Sequence, residues 1–220
     1  MRKWRTVLIS CVVVAACITS YEIFDARAAL FCAALGPRTK EIFGFFTRFG
    51  ISTPYLVAAF AGFIYFRFIR TNKTLANVAA FLFVAVAVSG LANDLIKFLV
   101  GRSRPGLLIS RGIYSFKPFS IHYYWVSFPS GHSNTIASLC YGLYLVTGRF
   151  KYPLLLLALA VMTSRVIVDA HFPSDVLFGA WLGVVITGLL AEDFEKRGLQ
   201  IRISGNQEPA QRRQKLLGLR

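Results

Sequence analysis

The feature that most constrains this chain is a series of six long apolar stretches. They occupy residues 6–24, 51–69, 75–100, 133–147, 152–168 and 174–191. A helix that crosses a bilayer needs roughly 17–25 predominantly apolar residues, and its backbone polar groups must pair within the helix because lipid offers no partners. The pattern therefore predicts an all-α integral membrane bundle of six transmembrane helices, with the fourth and fifth extending into their flanking loops.

The chain divides into a predicted membrane domain, residues 1–195, and a basic cytoplasmic tail, residues 196–220. Between the first two spans, residues 28–49 predict an amphipathic helix in the membrane interface. The basic start, the first apolar run and the residues around Ala28 also have the form of a secretory signal. We favour a retained anchor, because the apolar run continues through Phe24.

The formal charge of +15 at first suggests a nucleic-acid partner. Its distribution does not, because 15 of the 25 lysine and arginine residues fall on one side when both termini are placed in the cytoplasm. This excess follows the positive-inside rule and predicts contact with anionic lipids at the cytoplasmic face. It excludes nucleic acid and puts the polar ends of several spans on the outer side.

The cysteines show no paired CxxC spacing, and three of the four lie in apolar segments. We interpret them as small buried apolar residues rather than as a disulfide framework or a metal site. They are Cys11, Cys17, Cys32 and Cys140.

Ionisable residues at the ends of membrane helices are costly and usually functional, and here they form three groups on the predicted outer side. The groups supply three cations and two histidines, a combination that suits phosphate, which arginine and backbone amides bind well. Their members are Lys97, Arg104 and Pro105; Pro129, Ser130, Gly131 and His132; and Ser164, Arg165, His171 and Asp175.

The local pattern indicates roles for these residues. Ser130 and Gly131 precede an apolar helix, whose N-terminus would present free N–H groups to an anion. Asp175 follows His171 by four residues and can accept a proton from one ring nitrogen, which leaves the other as a nucleophile. His132 is then the candidate general acid for the leaving oxygen.

The three groups, complete and in order, resemble the signature of the type-2 phosphatidic acid phosphatase superfamily. The resemblance implies a metal-independent membrane phosphatase without a cofactor, in which His171 forms a phosphohistidine, Asp175 orients it and His132 protonates the leaving group. It also implies that the phosphate is held by Lys97, Arg104, Ser130, Gly131 and Arg165.

Within the superfamily, the short chain, the GRSRP run and the SFPSGH context are most similar to bacterial lipid A 1-phosphatases. This implies an enzyme of the bacterial inner membrane whose site faces the periplasm. Undecaprenyl diphosphate and phosphatidylglycerol phosphate remain alternative substrates, and transfer of the phosphate to another lipid remains an alternative reaction. A non-catalytic transporter is disfavoured, because its polar groups would extend through the whole membrane depth. Related haloperoxidases, which hold vanadate, are soluble and much longer.

Several other polar residues have modest predicted roles. Asn93 and Asp94 are expected to make contacts between helices, and Arg102 and Arg111 to be interfacial side chains as readily as substrate contacts. Asp169, where many relatives have glycine, is expected to pair with Arg165. The aromatic loop of residues 106–128, with Lys117 and His122, predicts an interfacial belt or a headgroup entrance.

Overall fold

The computed structural model describes residues 2–203, except for the side chains of residues 2, 3 and 5. In this range the chain is helical, and the structure contains one isolated antiparallel bridge, between Arg102 and Phe116. The α-helices are α1 Arg2–Ile23, α2 Asp25–Ala33, α3 Pro37–Thr47, α4 Ser52–Ile64, α5 Lys73–Val100, α6 Pro105–Arg111, α7 Gly131–Thr147, α8 Lys151–Ile167 and α9 Pro173–Lys196. Short 3₁₀ turns lie at Arg48–Gly50 and Tyr123–Trp125, and a π-helical turn lies at Tyr65–Ile69.

Helix α7 is the centre of the bundle, where it packs against α5, α8 and α9. Helix α4 covers α5, α1 covers α9, and the short helices α2 and α3 lie against α8. Most of the outer surface is apolar, with exposed aliphatic side chains on α1 such as Leu8, Val12 and Ile18. This surface fits a lipid environment, in which exposed apolar side chains carry no penalty.

Within residues 2–203, four helical segments are long and apolar enough to cross a membrane by length and composition: Thr6–Ile23, Pro37–Ile69, Lys73–Val100 and Pro173–Lys196. Helices α7 and α8 coincide with the predicted fourth and fifth spans, but each has only 17 residues. The all-helical membrane fold is therefore confirmed, whereas the number of six spans stays a prediction. Residues 204–220 of the predicted tail lie outside the described residues.

Residues 28–49 differ from the prediction of one interfacial helix. They form most of α2 and all of α3, and the break falls at Gly36, which is extended at φ −64° and ψ 156°, and Pro37, the first residue of α3. Proline suits the first helical position and disfavours helical backbone in the residue before it. Both helices pack on α8, so this segment forms part of the bundle.

The four cysteines are free thiols. Cys17, Cys32 and Cys140 are buried as expected, whereas Cys11 lies exposed on α1. The prediction of burial was wrong for Cys11, because α1 contacts the bundle along one face and Cys11 is on the other.

Candidate active site

One end of the bundle brings the three sequence motifs together. Helices α5 and α8 end there with Lys97 and Arg165, and α7 and α9 begin there. The starts of α7 and α9 are joined directly, because the backbone N–H of Ser130 donates to the Asp175 carbonyl oxygen at 3.0 Å. The antiparallel packing of these four helices thus assembles one polar site from residues far apart in sequence.

Ser130 caps the N-terminus of α7. It has extended backbone angles, and its hydroxyl accepts hydrogen bonds from the Ser133 N–H at 3.4 Å and the Ser133 hydroxyl at 3.0 Å. A side chain of this kind at an N-cap satisfies N–H groups that the helix itself leaves unpaired. The cap fixes the position of Gly131 and His132, the first two residues of the helix.

Lys97 reaches the start of α7 from the last turn of α5. A Cβ atom built on Gly131 would lie 3.1 Å from Nζ of Lys97. The same Nζ lies 3.4 Å from the Asp94 carboxylate. The neighbouring Asn93 is buried and donates to the Pro129 carbonyl at 3.3 Å, as expected for a contact between segments. The lysine cation and the positive end of the α7 dipole therefore act on the same small volume.

His132 faces the other side of that volume. Its ring packs against Gly50, where a built Cβ would lie 2.8 Å from the imidazole Cδ2. His132, Lys97 and Gly131 line one end of a groove of about 470 Å³ between α4, α5 and α7, which continues along Gly90 of α5. Burial, followed by the charges of Arg165 and the other nearby cations, lowers the pKa of His132 to about 3. The imidazole therefore holds a second proton only beside an opposing negative charge such as a phosphate.

His171 and Asp175 are both buried at the junction of α8 and α9, with His171 3% exposed. The imidazole Nδ1 lies 3.6 Å from Oδ2 of Asp175. Burial, together with the charges of Arg104 and Arg165, lowers the pKa of His171 to about 4 against an opposing contribution from Asp175. The ring is therefore neutral near pH 7, the state in which an imidazole nitrogen has a free electron pair.

Both oxygens of the Asp175 carboxylate accept hydrogen bonds. Its Oδ2 accepts hydrogen bonds from the Ser127 hydroxyl at 2.6 Å and the Phe172 N–H at 2.9 Å. Its Oδ1 accepts from Nη1 of Arg102 at 2.6 Å. These contacts satisfy a fully buried carboxylate, which would otherwise be costly to keep ionised.

Arg102 is the residue whose role the sequence analysis missed. It is 2% exposed, so neither an interfacial position nor a direct substrate contact applies. Nη1 also donates to the Ser174 hydroxyl at 2.7 Å, and Nη2 donates to Asp25 and Tyr114, each at 2.8 Å. Burial alone lowers the pKa of Arg102, but Asp175 and Asp25 outweigh it and the net pKa is raised.

The other two cations are fixed by contacts with loops. Arg104 donates from Nε to the Tyr123 carbonyl at 2.8 Å and from Nη1 to the Ala170 carbonyl at 3.1 Å, and its guanidinium lies 4.1 Å from the Tyr123 ring centroid. Arg165 donates from Nη1 to the hydroxyl of Thr47 at the end of α3. The segment before α4 therefore contributes to the site, which its sequence did not indicate.

Asp169 does not pair with Arg165, and that prediction was wrong. Helix α8 ends at Ile167, and Asp169 follows in the left-handed region at φ +55°. Its side chain leaves the helix face that carries Arg165 and forms an ion pair with Lys40 of α3. The pair links α3 to the loop that carries His171.

The segment between α5 and α7 is ordered by short elements. It contains α6, the bridge between Arg102 and Phe116, and the turn Tyr123–Trp125. Tyr123 and Tyr124 are exposed, and His122 stacks on Tyr124 with ring centroids 5.6 Å apart. These exposed rings at the site end of the bundle have the composition of an interfacial belt.

The fold and the site together define a multi-pass membrane protein with a histidine-bearing, cationic site at one end of a helical bundle. The family model of the PAP2 superfamily matches residues 78–199, a range that includes all three motifs. The chain belongs to the PAP2 superfamily and is a bacterial-type membrane phosphatase.

Two curated relatives match nearly the whole chain. The chain is 31% identical to a lipid A 1-phosphatase of Rhizobium johnstonii over 96% of its length and 89% of the relative, and 29% identical to a lipid A 1-phosphatase of Rhizobium etli over 96% of its length and 94% of the relative. The crystal structure of a transmembrane PAP2-type phosphatidylglycerolphosphate phosphatase from Bacillus subtilis has the same fold. It aligns with a TM-score of 0.65 at 24% identity over 87% of this chain and 95% of that one.

Proposed function

We propose that this phosphatase hydrolyses the 1-phosphate of lipid A through a phosphohistidine on His171. The observation that carries the proposal is the placement of a buried His171 beside Asp175 at the end of the bundle that also presents Lys97, Arg104 and Arg165. The choice of lipid is supported by the two relatives named lipid A 1-phosphatase, each of which matches 96% of this chain.

The reaction proceeds in two steps, formation and hydrolysis of the phosphohistidine. The negative charge of the bound phosphate favours the protonated form of His132. Nε2 of His171 attacks phosphorus, an N–P bond forms, and the P–O bond to the lipid breaks while protonated His132 gives its proton to the leaving oxygen. Water then attacks phosphorus, the N–P bond breaks with its electron pair returning to Nε2, and His132 takes up the proton of the water. The products are the dephosphorylated lipid and inorganic phosphate.

The remaining residues hold the phosphoryl group. Lys97, Arg104 and Arg165 supply positive charge, and the N–H of Gly131 lies at the N-terminus of α7, where a helix favours anions. The N–H of Ser130 is already bonded to the Asp175 carbonyl oxygen, so Ser130 contributes as the N-cap that positions Gly131. Charge grows on the phosphoryl oxygens and on the leaving oxygen as the bond breaks, so fixed cations stabilise the transition state more than the substrate.

We propose that the reaction needs no metal ion. The phosphate charge is balanced by three basic side chains, and among residues 2–203 there is no cluster of three His, Cys, Asp or Glu side chains suited to a metal. We also place the site on the periplasmic face of the inner membrane, because basic residues lie at the turns and helix ends on the opposite end of the bundle. These residues are Arg67, Arg70, Lys73, Arg149 and Lys151.

The experiment is phosphate release in detergent with EDTA from lipid A, undecaprenyl diphosphate and phosphatidylglycerol phosphate, with wild type and His171→Ala. We expect wild type to release phosphate in EDTA and to prefer lipid A, and the variant to release none. Release that requires an acceptor lipid would indicate phosphotransfer, and preference for either other lipid would reassign the substrate. In cells that lack the protein, lipid A should be heavier by one phosphate.

A further inference from the structure

The buried cluster behind His171 contains more negative than positive charge. Arg102 bridges two carboxylates, Asp25 at the start of α2 and Asp175 at the start of α9, and both carboxylates are 0% exposed. With both carboxylates ionised, one guanidinium against two carboxylates leaves one net negative charge. Only the Asp175 carboxylate faces the His171 imidazole.

Asp25 is held as firmly as Asp175. It accepts hydrogen bonds from the Ser20 hydroxyl at 2.6 Å, the Ser174 N–H at 3.1 Å and the Ser174 hydroxyl. Asp25 therefore ties the end of α1 and the start of α2 to the first turn of α9. It lies outside all three sequence motifs.

Arg102 is equally constrained. Its guanidinium carbon lies 4.3 Å from the Phe172 ring centroid, 5.0 Å from that of Tyr21 and 5.3 Å from that of Tyr114. Aromatic faces attract a guanidinium and, by excluding water, strengthen its ion pairs. The planar fork of arginine can serve Asp25 and Asp175 at once, which the single amine of lysine cannot do in the same geometry.

We propose that Asp25 and Arg102 are positioning residues for the nucleophile: they hold Asp175 toward Nδ1 of His171 and supply the negative charge that the phosphohistidine requires. This inference rests on the proposed function of His171. When Nε2 bonds to phosphorus, the ring keeps the Nδ1 proton and becomes cationic. The cluster's single excess negative charge then compensates the ring, whereas an Arg102–Asp175 pair without Asp25 would be neutral and would not.

Asp25→Asn tests the charge, because it keeps the side-chain size and removes the excess negative charge. We expect kcat on lipid A to fall about 10–100-fold, by analogy with the loss typical when the hydrogen-bond partners of metal-binding histidines are removed. The KM and the inhibition constant of inorganic phosphate should stay within about threefold, because Lys97, Arg104 and Arg165 are untouched. Arg102→Lys preserves the positive charge but not the planar guanidinium that bonds both carboxylates, and it should retain only part of the wild-type kcat.

Ser89→Ala is the matched control for loss of a buried polar contact. Its hydroxyl lies 2.8 Å from the Ser138 hydroxyl between α5 and α7, within the bundle, and the variant should keep wild-type kcat. A second readout is the ¹⁵N spectrum of His171, in which loss of the positioning should shift the ring away from the Nδ1–H tautomer. Ser89→Ala should leave that spectrum unchanged.

Asp25→Asn leaves a buried arginine with one carboxylate and can fail to fold. In that case Tyr114→Phe removes one acceptor from Arg102 without changing charge, and we expect kcat to fall at least about threefold with phosphate inhibition unchanged. A folded Asp25→Asn with wild-type kcat, or a fall in phosphate binding without a fall in kcat, would overturn the positioning role. Activity that survives His171→Ala would instead overturn the proposed function.

Discussion

The Nδ1 atom of His171 lies 3.6 Å from Oδ2 of Asp175, and the same carboxylate is held from behind by Arg102. The direction of this contact leaves Nε2 as the ring nitrogen available to a phosphate. The geometry therefore distinguishes the two histidines of the site, since His132 has no carboxylate partner among the described ion pairs and packs instead against Gly50.

His171 should be neutral down to low pH. Burial disfavours the charged imidazolium and lowers the pKa of His171 from 6.5 to about 4, so the ring takes up a proton only as the pH falls through about 4. The chain has three histidines, and ¹⁵N-histidine spectra of wild type and His171→Asn assign the signal. We expect constant shifts from pH 7 to pH 5, and a titration midpoint near 6.5 would contradict the buried, neutral nucleophile.

The activity lost in His132→Ala should be larger for a substrate with a poorer leaving group. As the proton donor to the leaving oxygen, it should contribute about 10²–10⁴-fold with the lipid substrate. With p-nitrophenyl phosphate, whose leaving oxygen needs no proton, His132→Ala should lose much less activity. Equal losses on both substrates would show that His132 binds phosphate and does not transfer a proton.

Gly179 should be required for the position of Ser130. A Cβ on Gly179 would lie 2.5 Å from the Ser130 carbonyl oxygen and 3.2 Å from its nitrogen, and backbone atoms cannot move aside at little cost. Gly179→Ala should lower the unfolding free energy by about 1–3 kcal/mol and lower kcat by displacing the start of α7. Gly188→Ala on the same helix meets its nearest atom, of Tyr141, at 3.6 Å and should change neither quantity appreciably. Equal behaviour of the two variants would contradict the close approach.

Asp169 should be replaceable by glycine more readily than by alanine. Its φ of +55° costs an ordinary side chain about 1–2 kcal/mol, and its partly exposed ion pair with Lys40 contributes about 0–1 kcal/mol. Asp169→Gly should therefore unfold at about the wild-type temperature in detergent, whereas Asp169→Ala should unfold earlier. An alanine variant as stable as the glycine variant would show that backbone strain is unimportant here.

The sequence predicted the parts of the fold that depend on local pattern. Apolar length marked the principal helices, and the three motifs named the residues that α5, α7, α8 and α9 bring to one end of the bundle. The single helix predicted for residues 28–49 was wrong, because Gly36 and Pro37 break the segment into α2 and α3.

The contacts made by distant residues could not be predicted in the same way. Asp25 and Arg102 are separated by 77 positions, and neither lies at a fixed motif position, so no spacing rule connects them. The available signal was physical: a carboxylate and an arginine at membrane-helix ends are costly unless paired. Thr47 gave no such signal, because a lone threonine next to an aromatic segment is unremarkable in composition.

The most direct test of the central claim is to trap the covalent intermediate. The enzyme is mixed with lipid A labelled with ³²P at the 1-position and quenched within one turnover in alkali, which preserves phosphohistidine, and the labelled peptides are identified by mass spectrometry. We predict one phosphoryl group on His171 in wild type, and no label on the peptide in His171→Ala. Phosphate release with the label on no residue, or on a residue other than His171, would contradict the mechanism.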